Sequence, residues 1–329
     1  MRCIKKYPDG EVLAGLILAK SKIASQTALY SVFPGWAEEK CSVLIWALVS
    51  RPRVSSKTIL ELLGAGCDID FETPMTCLSA SMACVLDKSR IPVLEALLKM
   101  RPDLAIDHHV PASVLACLGA RPGSASKDPI NEIGALTLCQ ASMYLGNIDV
   151  YDLLMKYCVS DEDDLHLAAW LALPKFARKL LATHDLNLEP EPYSNYTPLA
   201  VALETDSGQS YCKVADTEAP FELRRKETIE LLAKKSAFSW RHRQRTYVHI
   251  ALHKGSETTE ILLDALDINN NPWRFTMLVY EDKAGRKYTP CEYVTELMNL
   301  QPSECDGLLR CLAEGNLLTN LELAALGGQ

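Results

Sequence analysis

Apolar and polar positions along this chain fall into a recurring pair of short helical patterns. In Arg245 to Asn269, RTYVHIALHKGSETTEILLDALDIN, a first apolar helix runs to a break at Gly255. A second helix then ends in Leu262-Leu263 and leads into a polar turn. From Thr246 to the leucine pair is 16 residues, and the interval recurs from Thr137 to Leu153, broken at Gly146-Asn147 and ending in Leu153-Leu154. A helix–turn–helix unit this small cannot bury its apolar face alone, so it has to stack on copies of itself. The pattern predicts an all-α repeat solenoid of about six to eight such units.

Other segments fit the template with variations. Residues 42–70 and 76–107 place their leucine pairs at Leu62-Leu63 and Leu97-Leu98, with extra polar residues between the two helices of each unit. Residues 164–187 carry Leu180-Leu181, and Pro174 suits the first turn of a helix, where a missing N–H costs nothing. Residues 196–235 give a further unit in which Thr197 and Leu231 are 34 residues apart; the polar run Asp206 to Leu223 reads as an exposed insertion. Insertions are expected near 119–135, 206–224 and 270–287. The last contains a hairpin signal: a β-rich run ending at Tyr280, then Ala284-Gly285. Residues 1–41 are expected to form a helical N-terminal cap, 42–298 the array, and 299–329 a helical C-terminal cap with Ser303 as an N-cap.

The repeated units resemble ankyrin repeats, whose unit of about 33 residues opens with Thr-Pro-Leu-His and ends in a leucine-rich helix and a polar turn. Thr197-Pro198-Leu199 and Ala202 match the opening of one unit, and Thr246, His249, Ala251 and Gly255 match another. His166 with Ala168-Ala169 matches a third, Gly146-Asn147 with Leu153-Leu154 the second half of a fourth, and Thr289-Pro290 opens the last. The resemblance covers roughly residues 42–298 and implies stacked helix hairpins that bind other proteins. The run Trp240 to Arg245 and the stretch Tyr280 to Lys283 are also similar to divergent ankyrin proteins of filamentous fungi.

Composition narrows the function. The chain is 48% hydrophobic and 23% charged, enough for a continuous core. A net charge of −8 argues against a general nucleic-acid binder. Twelve cysteines are scattered without a Cys-x-x-Cys, and several fall where a thiol serves as a small apolar group, which points to reduced thiols in the cytoplasm, with the nucleus as the alternative. No segment reads as a signal peptide or a membrane span, and no membrane partner is expected.

Candidate chemistry is sparse. His249 and His253 have the i, i+4 spacing of a two-histidine metal site but no evident third ligand, and His249 stands where ankyrin units place a structural histidine. No metal or other cofactor is expected. His108-His109, His184-Asp185 and Asp161 to Asp164 read as solvated turn or helix-start residues. Phosphate-binding loops and nucleophile-elbow motifs are absent from the sequence. The residues favour a non-catalytic scaffold that captures a partner protein through the concave face and projecting loops. Trp240, Arg241, His242, Arg243, Arg245, Tyr247, Trp273 and Arg274 are the expected contact residues, since Trp and Arg dominate binding hot spots. The alternatives are an enzyme or small-molecule binder whose concave pocket is closed by the insertions, and a regulatory fragment of a larger chain.

Overall fold

The computed structural model describes residues 27–32, 37–49, 54–111, 114, 134–190, 193, 195–205, 219–236, 245–266, 280–298 and 300–314. The chain divides into two compact units, Met1–Ser160 with Tyr211–Thr217, and Asp161–Ser210 with Glu218–Gln329. Both are built from helix hairpins, and the all-α repeat class holds.

Among the described residues of the first unit, three hairpins follow in order: α1 (Val43–Val49) with α2 (Ser56–Gly64), α3 (Ala80–Val85) with α4 (Ile91–Met100), and, after the single turn α5 (Leu104–Asp107), α6 (Leu138–Tyr144) with α7 (Ile148–Leu154). Inner helices pack on inner helices, α1 on α3 and α3 on α6, while outer helices pack on outer, α2 on α4 and α4 on α7. The second unit repeats the plan with α8 (Asp164–Trp170) and α9 (Pro174–Leu180), α10 (Pro198–Glu204) and α11 (Phe221–Ala233), and α12 (Tyr247–Lys254) and α13 (Ser256–Ala265). The last described hairpin joins α14 (Pro290–Glu292), which continues as a π turn over Tyr293–Leu297, to α15 (Pro302–Glu314). Its inner row runs α8, α10, α12 and its outer row α9, α11, α13, α15.

The local sequence explains the short inner helices. Thr137 caps α6 by accepting from Gln140 N–H at 3.2 Å, and the Gln140 side chain accepts from the Thr137 N–H in return. Thr289 and Glu292 form the same reciprocal cap on α14. Pro174, Pro198 and Pro290 occupy first-turn positions where their fixed φ is already helical. The turn after α6 needs a left-handed residue and uses Gly146 at φ 67°. The corresponding place after α8 holds Ala172 at φ 52°, which strains an L-residue.

Among the described residues, three antiparallel strand pairs join or flank the hairpins: β1 (Thr27–Tyr30) with β2 (Glu39–Ser42), β3 (His109–Pro111) with β4 (Ala135–Thr137), and β5 (Tyr280–Glu281) with β6 (Lys287–Tyr288). The last pair encloses Ala284-Gly285, the expected turn. The β3–β4 pair brings Pro111 opposite Ala135, so the chain leaves and re-enters the described structure at neighbouring positions.

Several boundaries differ from expectation. Residues 27–30, included in the helical N-terminal cap, form a strand because Thr27 to Tyr30 pair in register with Ser42 to Glu39. The insertion placed at 206–224 ends sooner, since α11 begins at Phe221. Ser303 lies inside α15; Pro302 opens the helix, and the backbone of Gln301 accepts from the Glu304 N–H at 3.0 Å. The second closing helix expected beyond residue 318 lies outside the described residues.

The leucine pairs fill the seams. Both members are buried at Leu62-Leu63, Leu97-Leu98, Leu153-Leu154 and Leu262-Leu263, whereas Leu181 and Leu231 are only half-buried. Leu232→Ala is therefore expected to destabilise the second unit by about 2–5 kcal/mol through the cavity it leaves, and Leu231→Ala by less than half of that. Urea denaturation of the two variants checks the order.

Candidate functional site

The inner-helix histidines are structural. His249 is fully buried; its Nδ1 accepts from the Thr246 N–H at 3.3 Å and lies 2.8 Å from Thr246 Oγ1, closing the first turn of α12. His166, also fully buried, lies with Nε2 2.9 Å from the Leu188 carbonyl, to which its N–H donates, tying α8 to the loop after α9. His253 Nε2 bonds instead to the Tyr293 hydroxyl. The i, i+4 pair His249 and His253 is thus divided between two different hydrogen-bonding duties. Around it Tyr280, Tyr288 and Tyr293 pack edge-on or tilted, with Tyr280 and Tyr293 centroids 5.0 Å apart. Burial, and then the nearby Arg245 charge, lower the affinity of His253 for a proton.

One grouping has the outline of a nucleophile, a base and an acid. Ser81 Oγ lies 2.6 Å from His108 Nδ1, Ser79 Oγ lies 3.0 Å from the same atom, and His108 Nε2 is 3.9 Å from Glu72 Oε1. Proton transfer from Ser81 to His108 is geometrically available. Attack on a substrate is not, because Ser81 is 0% exposed within α3. The arrangement ties α3 to the loop after α5, and His108 is not the solvated turn residue expected.

A second correction concerns the acidic start of α8. Carboxylate oxygens of Asp161, Asp163 and Asp164 all lie within 4.8 Å of one another. Asp164 is 0% exposed and accepts from the Asp161 N–H at 3.2 Å, so it closes the turn and is not a solvated residue. Burial, and then Asp161, push the Asp163 carboxyl above its ordinary range. His184 Nε2 lies 2.8 Å from the Asp161 carbonyl and joins the same turn to the end of α9.

The expected contact residues are placed in part. Trp240, Arg241, His242, Arg243, Trp273 and Arg274 lie outside the described residues. Arg245 is half-buried at the start of α12. Tyr247 is 2% exposed, its hydroxyl is 2.9 Å from Thr197 Oγ1, and burial pushes its phenol up to about 12. Tyr247 belongs to the packing between α10 and α12, and a partner cannot reach it in this arrangement.

Sequence reasoning missed three buried cations. Arg90 donates to the Val54 carbonyl at 2.6 Å and the Leu48 carbonyl at 3.4 Å. Arg224 donates to Leu171 and Ala172 carbonyls at 3.1 and 2.9 Å. Arg225 donates to Ala202 and Leu203 carbonyls at 3.1 and 2.8 Å and to Thr258 Oγ1 at 3.1 Å. The available signal was spacing: Arg225, Thr228, Ile229 and Leu232 occupy one face of α11, and all are buried.

A loop in the first unit presents an apolar side chain on a rigid base. The buried Glu39 carboxylate accepts from the Met75 N–H at 2.8 Å, the Thr76 N–H at 3.2 Å and the Thr76 hydroxyl at 2.7 Å. Thr73 Oγ1, 2.5 Å from Thr76 Oγ1, accepts from the Leu78 N–H at 2.8 Å. At the crest Met75 is 63% exposed.

No family model matches the chain, and no curated protein matches it. Among solved structures it is similar to the human ASB11 ankyrin repeat domain, with 17% sequence identity, a TM-score of 0.48, and coverage of 82% of this chain and 98% of that one. No helix among the described residues is long and apolar enough to cross a membrane.

Burial lowers the His166 pKa from 6.5 to about 4. A histidine that protonates less readily when folded gives stability that is complete above pH 6.5 and is lost as pH falls toward about 4, because the unfolded chain binds the proton first. His166→Asn is expected to flatten the acid arm of the stability profile across that window. Denaturation midpoints at pH 7 and pH 4.5, compared between wild type and variant, measure it.

Proposed function

We propose that the chain is a non-catalytic scaffold that captures a partner protein through its inner-helix face and projecting loops. The observation that carries this reading is the Pro74–Thr76 loop: its backbone is fixed by Glu39 while Met75 stands exposed. A binding group held in place before the partner arrives loses little entropy on contact, and a thioether adapts to varied apolar surfaces. The Ser81 hydroxyl, the His108, His166 and His249 imidazoles and the Asp164 carboxylate serve as ties between helices and loops, which supports a binding role over a chemical one. Trp240, Arg241, His242, Arg243, Arg245, Trp273 and Arg274 remain the proposed contacts in the second unit, on the strength of their residue types. The likeness of Trp240–Arg245 and Tyr280–Lys283 to filamentous-fungal ankyrin proteins supports a divergent ankyrin origin. A cytoplasmic location is the corresponding proposal, supported by the scattered thiols.

Capture from native lysate by the full chain tests the reading. Met75→Asp and the double variant Trp240→Ala/Arg243→Glu are each expected to reduce recovery of the same partner at least tenfold, with melting unchanged. Undiminished capture by both variants would contradict binding through these loops. A lowered melting temperature would assign the altered residues to the core.

A further inference from the structure

Two thiols in the first unit meet without any motif announcing them. Cys139 on the inner helix α6 and Cys158 in the turn after α7 bring their Sγ atoms to 3.3 Å, and they are not disulfide-bonded. Cys139 is buried, whereas Cys158 is half-buried and its thiol lies 3.3 Å from the Leu154 carbonyl. A disulfide needs about 2.05 Å between sulfurs, so slightly more than 1 Å separates contact from bond, within the reach of small side-chain rotations.

We propose that Cys139 and Cys158 form a redox-sensitive dithiol that hydroperoxides convert to an intramolecular disulfide. Cys158, the member open to solvent, reacts first. Its thiolate attacks one peroxide oxygen; the O–O bond breaks, the departing hydroxide takes up a proton as water, and a sulfenic acid remains on Cys158. Cys139 then loses its proton and attacks that sulfur; the S–O bond breaks, the S–S bond forms, and a second water leaves. Two thiols and one hydrogen peroxide give one disulfide and two waters, with two electrons passing from the sulfurs to the peroxide. The bond ties the inner helix α6 to the end of its own outer helix and closes a loop whose freedom in the unfolded chain is then restricted.

Among the described residues, the other buried thiols of this unit are poorly suited to compete. Burial pushes Cys41 up to about 12 and Cys67 up to about 11, and raises Cys84 further still. Cys77 is exposed and serves as an internal control for unselective oxidation.

The experiment treats the reduced full chain with graded hydrogen peroxide, alkylates it, digests it without reduction and maps the peptides by mass spectrometry. The expected result is a Cys139–Cys158 linked peptide that accumulates before Cys77 is consumed, with a melting temperature raised by several degrees and restored by dithiothreitol. Cys158→Ser abolishes both the linked peptide and the thermal gain. The inference is overturned if Cys139 and Cys158 stay alkylatable while Cys77 oxidises, or if either pairs predominantly with another cysteine or another chain. The wild-type map decides the matter even where the variant fails to fold.

Discussion

Very short buried helices have a shortage of hydrogen-bond donors. The last four carbonyls of any α-helix lack partners within the helix, and in a helix of six to eight residues that is about half of them. The inner helices are buried along nearly their whole length, so water cannot serve every end. Guanidinium groups from the following segments do so instead. Arg90 reaches back to Leu48 at the end of α1, and Arg224 reaches back to Leu171 and Ala172 after α8. Arg225 serves Ala202 and Leu203 within its own hairpin. Each positive group also faces the negative end of a helix dipole, the favourable sign.

The same contacts set the order of the stack. Arg90 and Arg224 each link a helix end to the next hairpin in sequence, and Arg225 adds a bond forward to Thr258 on α13. Ala172 shows what this tolerates: it holds a left-handed turn where Gly146 does so without strain, and the Arg224 guanidinium bonds to the carbonyls on that turn. The histidines act in the same way at the loop side, as His166 to Leu188 and His108 to Ser79 and Ser81 illustrate. With the ties made internally, the loops between hairpins can vary in length and chemistry. The Glu39-braced loop that carries Met75 is one product of that freedom.

Much of the architecture was legible in the sequence because its signals are local. Thr137, Thr246 and Thr289 announced helix starts, Gly146 and Gly255 the breaks, and the leucine pairs the buried side of each outer helix. The hidden parts depend on contacts distant in sequence. Nothing near Arg224 reveals that carbonyls at 171 and 172 need a donor, so Arg224 read as the end of a polar insertion. Thr27 to Tyr30 read as helix because their strand partner, Glu39 to Ser42, lies further along the chain. Tyr247 looked like part of an exposed Arg-Trp run, yet one turn of helix faces it toward Thr197. Asp164 looked solvated for the same reason: composition shows charge, whereas burial depends on which way the turn closes. The Met75 loop carried no sequence signal, since its distinction lies in a carboxylate 36 residues earlier.

A double-mutant cycle between Arg225→Met and Thr258→Val, read by urea denaturation of the full chain, tests most directly whether buried guanidinium groups join successive hairpins. A coupling of about 1 kcal/mol or more is predicted, because each change removes the partner of the other across adjacent outer helices. Losses that add within about 0.3 kcal/mol would contradict the account, since the two side chains would then contribute independently across the seam.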